Sequence, residues 1–182
     1  MITSEQSLID QLYRVEGKAE IVNGGIRVME AAGEWPHTAS GEIFVSLRLH
    51  VRSTGRGRAC GDGLGFIVHI PNRLSFSPDA AYYDGPSAGM RFHEGAPLFA
   101  AEVRSENDYG PGAERAMVAK RADYFAAGTL VVWDVDVLSE DVVRVYRDGN
   151  TGSPAAIYRR GQRAEAEPAV PGWSMPVDDL FS

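Results

Sequence analysis

Residues 97–105 read PLFAAEVRS, and this stretch decides the fold. The run Pro97-Leu98-Phe99-Ala100-Ala101 is apolar, and Glu102 ends it. A short apolar run between turn residues fits a buried strand. A carboxylate fastened to such a strand costs free energy unless it is paired or bound to a cation. Upstream, Pro78-Asp79 opens a second strand, DAAYY, with a carboxylate at its start. Further strand candidates lie on both sides: RACGD and GFIVHI before, then LVVWDVD, VVRVYR and AAIYR after. One helix interrupts them, from about Pro111 to Ala127, and Gly128 suits its C-terminus.

The chain ahead of the strands is mostly helical. A first helix is predicted from about Ser4 to Arg14, with Thr3 and Gln6 at capping-box spacing and an apolar stripe of Leu8, Leu12 and Tyr13. AEIV and IRVME flank Asn23-Gly24-Gly25, a strong hairpin signal. Pro36 opens a second helix to about Arg52, with its stripe at Ser40, Ile43, Phe44, Leu47 and Val51. The tail from Arg163 to Ser182 alternates proline, glycine and aromatic residues and is expected to wrap the surface. No repeat or long linker divides the chain. The order predicts one α/β domain over 1–182, a mixed sheet with helices on its faces.

Composition narrows the function. The 182 residues include 18 basic and 25 acidic ones, a formal charge of −7. Dedicated nucleic-acid-binding modules are usually basic, so tight non-specific binding is disfavoured. A metal-dependent nuclease stays open, because bound cations restore positive charge locally. Cys60 is the only cysteine, so neither an internal disulfide nor a cysteine metal cluster is expected. The polar opening and the lack of a long apolar run predict a cytoplasmic protein with no membrane span.

The basic residues are nearly all arginine; Lys18 and Lys120 are the only lysines. Lys120 lies on the third predicted helix in line with Ala113, Ala116, Met117, Tyr124 and Ala127, on its core-facing stripe. A core-facing ammonium needs an anionic partner, and Asp79 and Glu102 are the candidates. Two carboxylates on neighbouring strands could share one hard divalent cation. Taken singly, each has a plainer reading: a turn aspartate, a solvated glutamate, a lysine that snorkels to water. The residues alone leave both readings open.

The motifs, taken in order, resemble the Uma-two family of restriction-endonuclease-like proteins. They are Glu20 before the Asn-Gly hairpin, His37 at the second helix, Pro78-Asp79, AEVRS at 101–105, and Lys120 and Tyr124 at K-x-x-x-Y spacing. Gly128, VVWDVD, VRVYR and the closing PGWSMPVDDLF follow. The resemblance implies a restriction-endonuclease-like fold with a PD-(D/E)xK-type core. Asp79 and Glu102 are then metal ligands, Lys120 is the lysine moved onto the helix, and Glu20 is a further acidic residue near the site. The wider superfamily carries its lysine two residues after the acid, where this chain has Arg104.

The function expected is a magnesium- or manganese-dependent nuclease acting on DNA, with Asp79, Glu102 and the Val103 carbonyl on the ion. A homodimer would serve to cut both strands. The alternative is a catalytically inactive nuclease-fold protein that acts as a binding or regulatory homodimer. Arg104 is a candidate phosphate contact, as are Arg48 and Arg52, which share a helix face whose plainer reading is a solvated one. Gly61-Asp62-Gly63-Leu64-Gly65 reads as a turn, because no helix follows it.

Overall fold

The computed structural model describes residues 4–182, so the cap expected at Thr3 lies outside the described residues. Helix α1 spans Ser4–Leu12. Strands β1, Ala19–Val22, and β2, Gly25–Val28, form the predicted hairpin. Asn23 (φ 51°) and Gly24 (φ 74°) both take the left-handed backbone that a tight two-residue hairpin turn demands. Helix α2, Glu34–Thr54, begins two residues ahead of Pro36. That proline sits in the first turn, where an α-helix has no use for its missing N–H. Gly55 ends the helix in the left-handed conformation, and its amide donates to the Val51 carbonyl.

The strands follow as β3 Arg58–Cys60, β4 Phe66–Ile70, β5 Arg73–Phe76, β6 Ala80–Tyr83, β7 His93–Glu94 and β8 Phe99–Val103. Helix α3, Pro111–Ala127, then leads to β9 Val131–Val135, β10 Val143–Arg147, β11 Ala156–Tyr158, β12 Arg163–Glu165 and β13 Ser174–Pro176. A 3-10 turn at Val177–Phe181 closes the chain. The central sheet runs β11-β10-β9-β8-β6-β3, with β8 and β9 parallel and joined through α3. A second sheet runs β2-β1-β5-β4-β7, and β12 pairs with β13.

Alternation along the central strands sets which layer each residue meets. Phe99, Ala101, Val103, Trp133 and Val135 face α2 and the C-terminal segment. Ala100 and Val132 face the other way, toward Phe66, Phe76 and Tyr124 of the second sheet and α3. Glu102 shares this second face with Ala100. On the outer side of the second sheet, α1 packs Ile9 and Leu12 against Ile21, Ile67 and Leu74.

Three sequence expectations need correction. Strand β5, RLSF, is absent from the predicted series because arginine and serine disguise it, yet all four of its residues are buried. The Ser75 hydroxyl accepts the Ile21 amide at 2.8 Å, and Arg73 is paired with carboxylates, so these polar groups are satisfied inside. The tail does not wrap the surface. Ala164, Ala166, Ala169, Val170, Trp173, Met175, Val177 and Leu180 belong to the main core, and the Trp173 ring stacks on Trp133 at 5.1 Å. Small alanines between prolines hide this burial from a reading by hydropathy. On α3, Ala116 is exposed; the inward face is carried by Met117, Lys120, Arg121 and Tyr124.

Candidate active site

The register of the central sheet creates the site. Ala80 opposes Ala101 in the antiparallel β6–β8 pair, so one step further along sets Asp79 beside Glu102. The Asp79 amide donates to the Ala101 carbonyl at 3.1 Å, continuing the ladder. One oxygen of its carboxylate, Oδ2, accepts the Val103 amide at 2.7 Å. The other, Oδ1, accepts the Lys18 ammonium at 2.5 Å. Lys18 also reaches Asp62 Oδ1 at 2.7 Å.

Glu102 is held from α3. The Tyr124 hydroxyl donates to Oε1 at 2.6 Å, and Lys120 Nζ donates to Oε2 at 2.8 Å. The Tyr124 ring stacks on Phe76 at 4.0 Å, which fixes where its hydroxyl points. Lys120 also lies 3.0 Å from Glu20 Oε1. Glu20 is buried, not solvated on the hairpin edge: Arg73 Nη1 donates to its Oε2 at 2.6 Å, and the Ser77 amide to its Oε1 at 2.8 Å. The second sheet therefore presents Glu20 to the helix lysine while the central sheet presents Glu102.

Charge states follow from these neighbours. Burial pushes the Glu102 carboxyl above its usual range; Lys120 pulls it down, and Asp79 and Glu20 push it up again. Burial raises Glu20 too, but Lys120, Arg73 and the Ser77 amide outweigh it and hold that carboxyl below its ordinary value. Burial lowers both lysines, yet the carboxylates win and keep the Lys18 and Lys120 ammoniums above the ordinary lysine value. The Tyr124 phenol is pushed well up by burial and by Glu102, so it stays a donor.

The three arginine candidates are engaged elsewhere or exposed. Arg104 is buried, with Nε and Nη2 donating to Asp134 at 2.8 and 2.7 Å and its remaining edge donating to Glu114. Its guanidinium fork is filled by carboxylates, which leaves it a cross-link between β8, β9 and α3 in place of a phosphate contact. Arg48 and Arg52 are exposed on α2, which covers the opposite face of the central sheet from Glu102. They form a solvated face, not part of the site.

Lys18, Asp62, Arg73 and Ser77 are the participants that sequence reasoning missed. For Lys18 the signal exists: it is the only other lysine, and both lysines converge on these carboxylates. Arg73 and Ser77 carry no such signal, because their role depends on how the two sheets pack.

The donors suit a hard divalent cation. Among the described residues no three side chains of His, Cys, Asp or Glu are grouped to hold an ion by themselves. Asp79 and Glu102 instead form a pair, and magnesium is commonly held by one or two carboxylates with water and phosphate completing its shell. The two lysines stand against four carboxylates, Asp62 and Asp79 on Lys18 and Glu20 and Glu102 on Lys120, so the cluster has negative charge to share with a cation.

A family model described as "Putative restriction endonuclease" (Uma2) matches residues 8–178. The chain belongs to the Uma2 family. Its fold is also that of a solved structure, "a putative nuclease belonging to DUF820 from Anabaena variabilis ATCC 29413". The two align with a TM-score of 0.71 over 96% of this chain and 97% of that one, at 16% identity. No curated protein matches this Uma2 chain. No helix among its described residues is long and apolar enough to cross a membrane.

Proposed function

We propose that this Uma2 protein is a cytoplasmic, divalent-metal-dependent nuclease that hydrolyses phosphodiester bonds in DNA. The observation that carries the reading is the pairing of Asp79 and Glu102 at adjacent strand ends, with a helix lysine on the second carboxylate. Magnesium or manganese would be held by Asp79, Glu102 and the Val103 carbonyl. Such an ion supplies Lewis acidity toward a phosphodiester.

The protein's own groups have separate tasks. The Val103 amide and the Tyr124 hydroxyl fix the rotamers of Asp79 and Glu102. Lys120 acts as a fixed positive charge that orients the attacking water and stabilises charge developing on the phosphate. Its two carboxylate partners keep it protonated, so it does not serve as the proton acceptor in this arrangement. Glu20 is a positioning residue: it anchors Lys120 through a carboxylate that Arg73 and the Ser77 amide hold in place.

The assembly in this reading is a homodimer, since two sites serve two strands and closed two-fold dimers are the commonest oligomers. The tail does not supply the interface, because its Trp173, Met175 and Leu180 are spent on the chain's own core. Light scattering should give the dimer mass; a monomer at high micromolar concentration contradicts it.

The function is tested by incubating plasmid DNA, linear duplex and single-stranded DNA and RNA with the purified protein and manganese. Cleavage of DNA that Asp79→Ala and Glu102→Ala abolish, with melting curves intact, is the expected result. No cleavage of any of these substrates would favour the inactive, binding or regulatory role. Cleavage of RNA alone would move the substrate and keep the site.

A further inference from the structure

We propose that Lys18 is a built-in counter-ion that occupies the cation position on Asp79 and steps aside onto Asp62 when a divalent metal arrives, so that it sets the metal affinity of the site. The proposal rests on the metal-dependent reading above. Asp79 has two oxygens, and the Val103 amide takes Oδ2. Oδ1 is the oxygen left to face a metal, and it is the one Lys18 holds at 2.5 Å. Two cations sharing one carboxylate oxygen repel strongly in a partly buried site. Metal binding therefore requires the ammonium to withdraw.

The structure provides a place for it to go. Lys18 Nζ already touches Asp62 Oδ1 at 2.7 Å. Asp62 sits in the glycine-rich loop 61–65 and is more exposed than Asp79, 42% against 20%, so it can hold the ammonium away from the carboxylate pair. A pocket of about 230 Å³ adjoins the lysine, lined by Gly17, Lys18, Gly63, Ser77, Leu12 and Tyr13. The four-carbon stem has room to swing there. Lys120 differs in where its second partner lies: Glu20, 3.0 Å away, is buried inside the cluster, so the ammonium remains there whichever carboxylate holds it. The two lysines thus divide the work, one staying with the site and one yielding its place.

Calorimetric titration with manganese tests this without any nuclease assay. Lys18→Met should bind manganese about tenfold tighter than the wild type, the low end of what groups around a metal's own ligands change. Asp62→Asn should bind several-fold more weakly, because the lysine loses its second partner and stays on Asp79. The double variant should match Lys18→Met alone, a non-additivity expected only if Asp62 acts through the lysine. Lys18→Arg, which keeps the charge, should behave as the wild type. Should Lys18→Met fail to fold, Lys18→Gln carries the same test. Wild-type binding that Lys18→Met leaves unchanged or weakens overturns the proposal and leaves the metal site standing. An additive effect of Asp62→Asn also overturns it. Absence of manganese binding in both the wild type and Lys18→Met would end the metal reading itself, and this proposal with it.

Discussion

Lys120 shows how the tertiary setting changes what a substitution does. From its place on an apolar helix stripe, Lys120→Met should cost catalysis and leave stability unchanged or raised. The structure revises half of that. Lys120 is the shared partner of Glu20 and Glu102, so methionine strands two carboxylates inside the protein. Glu20 keeps Arg73 and the Ser77 amide, whereas Glu102 keeps only Tyr124. Lys120→Met should lower stability by about 2 kcal/mol, as breaking a buried pair from one side does. Adding Glu102→Gln should recover much of it, because the neutral amide needs no counter-charge. Urea denaturation of the two variants checks this, and equal stability of Lys120→Met and wild type would contradict it. In turnover, Lys120→Met should fall about a hundredfold to a thousandfold. Arg104→Met should act chiefly through stability, since its guanidinium is filled by Asp134 and Glu114 and leaves no edge for a phosphate.

At the scale of elements, the helices, the hairpin and the central strands were legible because each follows one periodicity or one turn signal. Helix α3 matches its predicted limits for that reason. Strand β5 and the tail were not legible, because their burial depends on partners far away in the chain. Asp79, Glu102 and Lys120 could be named from the sequence because each is a charge at an inward position. Arg73 could not, since only the packing of the second sheet against the first brings it in, and Lys18 offered only its rarity as a signal.

The tail illustrates how one charge can fasten such a segment. Glu165 on β12 accepts Arg147 Nη2 at 2.6 Å, the Tyr158 hydroxyl at 3.2 Å and the Glu167 amide. Its backbone carbonyl accepts the Trp133 indole N–H at 3.1 Å. Burial pushes this carboxyl up, but Arg147 and the Glu167 amide prevail and hold it below its ordinary value of 4.5. A carboxylate whose pKa is lower folded than unfolded contributes stability that is present above the unfolded value and lost as pH falls through the folded one. Glu165→Gln should therefore destabilise by about 1 kcal/mol at pH 7. The gap between wild type and variant should close as pH drops from about 4.5 through the lowered folded pKa. Melting curves across that range check it; a gap that persists in acid would mean the geometry, not the charge, matters.

For the whole molecule, the −7 charge and the placement of the site fit together. The arginines that were candidates for phosphate are either exposed on the far side of the sheet or filled by carboxylates. On the proposed function, nucleic acid is then engaged chiefly through the metal site. In chelator, at physiological salt, a gel shift should detect no complex at low micromolar protein, because non-specific electrostatic binding needs phosphate-neutralising cations. A tight complex in chelator would reveal a basic surface that this account lacks.

The central claim is that Asp79 and Glu102 hold a divalent cation beside Lys120. Its most direct test is a crystal soaked in manganese and measured at an X-ray energy where manganese scatters anomalously. One anomalous peak should appear bonded to both Asp79 and Glu102, with Lys120 still on Glu102 and Lys18 withdrawn toward Asp62. Crystals with no peak there, and with Lys18 still seated on Asp79 at saturating manganese, would contradict it.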